Sequence, residues 1–400
     1  MYGRYLPEVS EVHCRGKGGK SMKKQRKHRS LSRLLAFVLS VTILAGLCPQ
    51  GVSFFGMALT LPKLQAAQHT LRNPRIVKDS SMEAGQKVTW DCVYFGSYPQ
   101  TEVVESGSEE ETALKGMNRY YVTKYQSVSS NTFAAIENAS YDANGDATVG
   151  GTKYRRMKAG DATDNVYISG DNVHYNWKNT STYHYFKYEP IKWRVLNRKG
   201  NDALLLADVA LDDQQYNTNW ARVTWESSSM RSWLNGYGAS VNQPKTDYSR
   251  KNFINSAFTS AQRSAIKKIN VVNDNNIYYG TTGGKNTSDK VFLLSESEVY
   301  NTDTAAGYGF VKDYSTLDEA RGSRCSTYAY AMGTGKSINI SWKGNIEWWL
   351  RSPGDSSDLA AGVYEDGQVI GKGGYGVFNH DVGVRPALHL NLSSSNLYSY

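Results

Sequence analysis

After residue 87, the apolar residues of this chain come in short runs that glycine-rich polar stretches separate. The runs Val88–Phe95, Tyr185–Leu196 and Ala203–Ala207 are rich in β-branched and aromatic residues, as strands are. Asn197–Asp202 joins the last two runs and contains Asn, Gly and Asp, which favour turns, so this region predicts a β-hairpin. Runs this short do not build a helical bundle, and we expect short strands, hairpins and long loops.

Two segments show the spacing of short helices instead. Met230, Trp233 and Leu234 stand at positions i, i+3 and i+4, which places all three on one face of a helix. Asn252–Lys268 shows the same kind of spacing, with Thr259 as the expected N-cap of its second half. Short helices among short strands predict an α+β fold, and we find no internal repeat of the solenoid or propeller type.

The first 67 residues have the build of an export signal. They hold 11 of the 46 Lys and Arg residues but 2 of the 37 Asp and Glu residues, so the remaining 35 of each sign balance. A basic run, Lys23–Arg33, precedes the apolar stretch Leu34–Leu47, and the small residues Ala66 and Ala67 follow. This order predicts a signal peptide over residues 1–67, and hence a secreted or cell-surface protein.

Two points about this leader stay open. Translation that begins at Met22 would give an n-region of ordinary length, with residues 1–21 as an upstream extension. A retained membrane anchor is the alternative to cleavage, but Pro49 and Gln50 interrupt the apolar stretch before it reaches the length of a spanning helix. We therefore expect only transient membrane contact through the signal peptide, a polar linker over residues 68–86 and one domain over residues 87–395.

Charge and cysteine content limit the kinds of partner and metal site that this chain is expected to have. Without the basic leader the chain carries no net charge, so nucleic acid is not an expected partner. Cys92 and Cys325 remain after processing, and they either form one disulfide or stay as two thiols. Because the histidines do not cluster with cysteines at metal-site spacing, we expect no metal site and no cofactor.

Most catalytic patterns are missing from the sequence. No Gly-x-Ser-x-Gly string is present, as a nucleophile elbow would require. Asp142–Asp146 begins like a calcium loop, but Ala147 and Lys153 stand where Gly and an acidic residue belong, so we expect a hairpin turn at Asn144 and Gly145. A glycosidase-like pair of carboxylates is defined by its separation in space and stays open for the acidic residues Glu347, Asp355, Asp358, Glu365 and Asp366.

Two arginines and three tryptophans lie inside apolar strings. Arg351 and Arg385 need carboxylate or carbonyl partners there, because an unpaired buried charge is costly, so we expect both to be structural. Neighbouring side chains of a strand point to opposite faces. We therefore place Trp348 in the core, together with Trp233 of the expected helix, and Trp349 at a ligand-binding surface.

Six ordered strings together resemble an uncharacterised domain of exported bacterial proteins. The resemblance spans about residues 88–392. The strings are Phe95–Gln100, Ile191–Leu196, Met230–Asn235, Val291–Ser295, Trp348–Gly354 and Gly383–Leu388.

The last two strings also resemble, more distantly, the closing part of the C-type-lectin fold that formylglycine-generating enzymes share. Gly383-Val384-Arg385 stands at the position of the Gly-Phe-Arg string in that fold. The resemblance implies a single C-type-lectin-like domain. It does not carry the oxidase chemistry, because no cysteine follows Cys325, nor the calcium-dependent sugar site, because the strings of that site are absent.

In folds of this kind the loops before the final strand carry recognition. We therefore expect a secreted or surface module for binding or adhesion, whose ligand is an extracellular glycan or protein. An exported hydrolase and a structural envelope domain are the alternatives, and the sequence does not establish an enzyme. Besides Trp349, the expected ligand-binding residues are Tyr364, Asp366, Lys372, Tyr375, Phe378, Asn379 and His380.

Overall fold

A computed structural model describes the greater part of the chain after the leader. The expected signal peptide and Lys372 lie outside the described residues. Within the described part, no helix has the length and apolar character needed to cross a membrane. The described residues are 70–118, 124–163, 174, 175, 177, 179–339, 341–370 and 373–400.

Eighteen strands and eight α-helices lie in the described residues. The strands are β1 (Arg75–Lys78), β2 (Gln86–Thr89), β3 (Cys92–Glu105), β4 (Tyr125–Val128), β5 (Asp146–Val149), β6 (Thr152–Met157), β7 (His184–Lys199), β8 (Asp202–Ala207), β9 (Asp212–Asp213), β10 (Ile266–Lys267), β11 (Ile269–Val271), β12 (Thr287–Asp289), β13 (Val291–Phe292), β14 (Trp348–Pro353), β15 (Leu359–Val363), β16 (Tyr375–Gly376), β17 (Gly383–Val384) and β18 (Ala387–Asn391). The helices are α1 (Glu109–Asn118), α2 (Ser130–Glu137), α3 (Ser229–Asn235), α4 (Phe253–Ala257), α5 (Ser260–Ala265), α6 (Glu296–Val299), α7 (Asp303–Gly307) and α8 (Thr327–Met332).

A nine-stranded sheet and a five-stranded sheet dominate the described part of the chain. The larger sheet has the order β10-β18-β8-β7-β3-β4, with β13 on β18 and the β5–β6 hairpin on β7. The smaller sheet has the order β16-β15-β14-β17-β9. The fold is α+β, as the sequence predicts.

The long strands β3 and β7 form the centre of the larger sheet. They pair antiparallel, and two shifts of register mark irregularities in β3 near Gly96 and Gln100. Trp193 of β7 is fully buried, and its indole N–H donates to the carbonyl oxygen of Phe95 at 2.8 Å. The predicted hairpin is present as β7 and β8, because its apolar residues are buried between the sheet and the packed helices.

The predicted helix around Trp233 is confirmed as α3. Met230, Trp233 and Leu234 are buried, and the Ser228 hydroxyl accepts a hydrogen bond from the Arg231 backbone N–H at the N-cap. The helix ends at Gly236, whose φ of 73° is left-handed and therefore favours glycine.

The predicted helical segment 252–268 forms two short helices, α4 and α5, and Ile266 and Lys267 at its end belong to β10. The break comes at Phe258, which is extended and packs on Phe95 with ring centroids 5.1 Å apart. Packing of this ring against Phe95 favours an extended backbone at Phe258 and ends the helix there. Thr259 caps α5 through a capping box, as the sequence predicts.

Two expected irregular regions contain regular structure. Part of the expected linker is β1, which pairs with β2 in a two-stranded ribbon; the adjacent Ile76 and Val77 give no apolar alternation to detect. The polar stretch 101–150, whose many Ser, Asn and Gly residues predict a surface excursion with weak structure, holds α1 and α2. The hairpin of β5 and β6 turns at Gly150 and Gly151, both at positive φ, rather than at Asn144 and Gly145.

Cys325 is a free buried thiol, so it forms no disulfide with Cys92.

The two arginines that the sequence places in the core are buried and hold distant segments together. Arg385 is 0 % exposed, donates to the carbonyl oxygen of Ala207 at 2.8 Å and lies 4.9 Å from the ring centroid of Trp348. Arg351 donates to the carbonyl oxygens of Leu293 at 2.7 Å and Val272 at 2.9 Å. Each guanidinium satisfies backbone groups that apolar side chains would leave unpaired.

We expect Arg385→Leu to lower the free energy of unfolding by about 3 kcal/mol, because buried carbonyl oxygens lose their donor. Urea denaturation checks this value. Arg250→Leu, at an exposed arginine, is the matched control and should change the free energy by less than about 0.5 kcal/mol. Equal effects of the two substitutions would contradict a structural role for Arg385.

Candidate functional site

A pocket of about 540 Å³ opens where the two large sheets meet α3, α8 and the segment 246–256. Asp212 of β9 and Tyr98 of β3 are its most deeply buried polar lining residues, at 2 % exposure each. Arg155, Trp233 and Tyr328 form further parts of its walls. We call this cavity the Asp212 pocket.

Short local structures aim these side chains at the pocket. Strand β9 pairs with β17, and Asp212 stands opposite Val384. Because neighbouring strand residues face opposite sides, Asp212 turns to Tyr98 while Asp213 turns to Thr334, whose hydroxyl lies 3.1 Å from the Asp213 carboxylate. The string Phe95–Gln100 supplies Tyr98.

The carboxylate of Asp212 is hydrogen-bonded but has no basic ion-pair partner among the salt bridges of the described residues. The Tyr98 hydroxyl donates to Oδ2, while Oδ1 accepts from the Asp213 backbone N–H at 2.8 Å and from Gln214 Nε2 at 3.2 Å. Burial raises the pKa of Asp212 to about 6, although these donors act to lower it. A buried carboxyl that titrates near neutral pH in a pocket is a mark of functional sites.

Arg155 forms a rigid wall beside this carboxyl. It is 8 % exposed and grips Asp146 with two hydrogen bonds, from Nε at 2.8 Å and from Nη2 at 3.0 Å. The Tyr188 hydroxyl accepts from Arg155 at 2.7 Å and donates to Asp146 at 2.8 Å. Burial acts to raise the pKa of Asp146, but the ion pairs with Arg155 and Lys153 lower it overall. The guanidinium is thus neutralised and held in place before any ligand arrives.

The rest of the lining is aromatic and polar. Trp233, Tyr248 and Tyr183 add ring surfaces, and Gln214 and Asn252 add amides. Such a pocket offers donors, acceptors and flat apolar faces to one small ligand. In the described part of the chain, no group of three or more His, Cys, Asp and Glu side chains is placed to hold a metal ion.

The tryptophan expected at the surface, Trp349, is 0 % exposed. Its indole N–H donates to the carbonyl oxygen of Gln214 at 3.0 Å, and its ring packs 5.7 Å from that of Tyr216. Trp348 is buried as well, because β14 is covered on both faces and every one of its residues is buried. Trp349 therefore holds the backbone of Gln214, a residue that lines the pocket, and exposes no surface to a ligand.

Tyr364 and Tyr375 lie together beside acidic residues, with ring centroids 6.1 Å apart. Glu347 and Glu365 line a smaller pocket of about 330 Å³. Burial, and then the charges of Glu365 and Asp381, raise the pKa of Glu347 to about 7. Asp366 accepts from the Gln368 backbone N–H at 2.9 Å, within a turn.

The remaining residues of the expected ligand-binding set lie elsewhere. Phe378 is 38 % exposed and Asn379 is exposed, whereas His380 is half-buried with Nδ1 3.0 Å from the carbonyl oxygen of Thr163. Lys372 lies outside the described residues. The structure therefore distributes the expected set over the core, the smaller pocket and an exposed turn.

Asp212, Tyr98, Arg155 and Tyr328 are not among the residues expected from the sequence. Tyr98 lies in one of the six strings, and Asp212 directly follows Ala210 and Leu211, both of which are buried. Their convergence depends on pairing of strands far apart in sequence, which no local pattern reports.

We expect Asp212→Asn to stabilise the protein at pH 8 by about 2–3 kcal/mol and to have little effect at pH 4. The folded pKa of about 6 lies above the ordinary value of 3.8, so the folded state binds the proton more tightly and loses stability as pH rises from 4 to 6. The amide in Asp212→Asn does not ionise, so the variant does not lose this stability as pH rises. Urea denaturation across this pH range measures it.

Asp247→Asn is the matched control, because this exposed carboxylate lines the same pocket and hydrogen bonds from Ser249 lower its pKa. It should not stabilise the protein at pH 8. An Asp212→Asn effect of equal size at pH 4 and pH 8 would mean that burial of the charge is not its cause.

One comparison with known proteins gives a match. Residues 200–392 match the family model described as Domain of unknown function (DUF6273). No curated protein and no solved structure matches the chain, so the likeness to the C-type-lectin fold stays a prediction. The matched segment includes Asp212, Trp233 and Tyr328, whereas Tyr98 and Arg155 precede it. Over residues 200–392, the chain thus carries a domain of the DUF6273 family, a domain of unknown function.

Proposed function

We propose that this protein is a secreted or surface-displayed module that binds a neutral carbohydrate in the Asp212 pocket. The observation that carries the proposal is the hydrogen-bonded pair of Tyr98 and Asp212 on the inner surface of a pocket with aromatic walls. Export is supported by the basic run and apolar stretch of the leader.

The chemistry of the lining matches that of a sugar. Hydroxyl groups of a sugar both donate and accept, and the Asp212 carboxyl and the Gln214 amide offer planar groups of both kinds. The C–H face of a sugar ring is apolar and suits the rings of Trp233 and Tyr248. A volume of about 540 Å³ lies within the range of small-molecule sites.

The charges around the pocket favour a neutral ligand over a phosphate or a polyanion. Both acidic and basic side chains line it, and Asp146 already neutralises Arg155. The remaining lining charges are mixed with a small acidic excess, so the pocket does not attract an anion. The charged lining residues are Asp142, Asp161, Asp212 and Asp247 against Arg155, Arg156 and Lys251.

A hydrolase that acts in the same pocket is the second candidate, favoured by one observation. Asp212 and Asp247 line one cavity in environments that move their pKa values apart, to about 6 for Asp212 and below the ordinary value for Asp247. Glycosidases use a carboxyl of raised pKa as general acid together with an ionised carboxylate. Release of reducing ends from a bound glycan would distinguish hydrolysis from binding.

We expect Asp212→Asn to weaken glycan binding by about tenfold or more, because the ligand loses a buried acceptor. The wild-type chain is first screened on a glycan array, and the dissociation constant of the strongest ligand is then measured by calorimetry. Tyr98→Phe should weaken binding in the same direction.

Phe378→Ala tests the competing surface around residues 355–381. It should leave affinity unchanged if the Asp212 pocket holds the ligand. Loss of binding in Phe378→Ala together with full binding in Asp212→Asn would assign the ligand to that surface. A wild-type chain that binds no glycan on the array would overturn the proposal.

A further inference from the structure

Trp220 is the most exposed large hydrophobic side chain in the described part of the protein, at 67 % exposure. Most tryptophans of the described residues are buried, Trp233 among them at 8 %. Burial against a partner would stabilise a ring this large. Its position on the surface makes it available for contact with a ligand.

The indole lies over a glycine, next to an amide. A Cβ placed on Gly376 would stand 3.7 Å from Cζ3 of Trp220 and 2.8 Å from Oδ1 of Asn379. The two side chains thus share the space above one residue that has no side chain of its own. The flat Trp220 indole therefore lies beside the Asn379 amide, which can form hydrogen bonds.

The loop that carries Trp220 is fixed at both ends. The Asn217 backbone N–H donates to the carbonyl oxygen of Val377 at 2.7 Å, and the Val223 backbone N–H donates to that of Ser357 at 2.8 Å. Asn217 is fully buried, and its side chain donates to Gln243 at 3.1 Å. The backbone that carries the Trp220 ring is therefore held at both ends before a partner binds.

The polar groups near this ring carry little net charge. Hydrogen bonds from Ser356 and the Asp358 backbone, and then the positive charge of Arg222, lower the pKa of Asp358, so these two opposite charges lie close enough to interact. Gln215, an uncharged side chain, donates to the carbonyl oxygen of Phe378 at 2.6 Å. The surface offers no strong field to a charged peptide or a nucleic acid.

We infer that Trp220 and Asn379 form a stacking platform for a sugar ring of a carbohydrate chain, separate from the Asp212 pocket. The apolar C–H face of the sugar covers the indole, and a hydroxyl group bonds to the Asn379 amide. Trp220, Gly376 and Asn379 do not line the pocket. The inference rests on the proposed function for its ligand class and extends it from a single sugar to a polysaccharide.

Affinity gel electrophoresis tests the platform with four soluble probes: xylan, mannan, β-1,3-glucan and galactan. The full chain, Trp220→Ala, Asp212→Asn and Tyr279→Ala are compared on each. Tyr279, which is 52 % exposed, provides a matched loss of an exposed aromatic ring. Thermal melting confirms that all variants fold.

We expect at least one polysaccharide to retard the wild-type chain and the Tyr279→Ala variant equally. Trp220→Ala should weaken that retardation about fivefold or more, as the loss of one stacking contact of 1 kcal/mol or more requires. The same probe should protect wild-type tryptophan fluorescence from acrylamide quenching, and this protection should be smaller in Trp220→Ala.

The two proposals fail in different ways. If the polysaccharide retards Trp220→Ala as strongly as the wild-type chain but no longer retards Asp212→Asn, the platform is overturned and the pocket is supported. Loss in Trp220→Ala with full retardation of Asp212→Asn supports the platform and contradicts the pocket. A wild-type chain that none of the four probes retards overturns the platform as well.

Discussion

The hydrogen bond from Tyr98 to Asp212 joins the two large sheets of this protein. Tyr98 belongs to β3 of the nine-stranded sheet, and Asp212 belongs to β9 at the edge of the five-stranded sheet. The carboxyl is kept at 2 % exposure without a basic partner in the described salt bridges, so its ionised form is costly. Proteins keep such groups where binding or catalysis needs them, even at some loss of stability.

The surroundings of this pair are stable in their own right. Arg155 is balanced by Asp146, and Arg351 and Arg385 satisfy backbone carbonyl oxygens that bring distant segments together. Trp349 fixes Gln214 from behind through its indole N–H. The walls of the pocket are therefore preorganised around a buried carboxyl whose pKa burial raises.

Local features of the fold could be predicted from the sequence, and long-range ones could not. The buried face of α3 follows from the spacing of Met230, Trp233 and Leu234, and the cap of α5 follows from Thr259. The pocket could not be predicted, because Tyr98 and Asp212 meet only through sheet pairing. Alternation along a strand predicts Trp349 at the surface because it assumes one open face, whereas β14 has none.

The family match begins at residue 200, yet the pocket needs Tyr98 and Arg155 from the preceding region. The binding unit proposed here is thus larger than the matched domain. In the proposed binding unit, Asp212 is a buried, titrating contact for the ligand. A carbon-13 NMR titration of the Asp212 carboxyl, with and without a saturating glycan, tests this most directly. We expect a midpoint near 6 in the free protein that shifts when the ligand is bound. A midpoint near the ordinary 3.8, unchanged by the ligand, would contradict it.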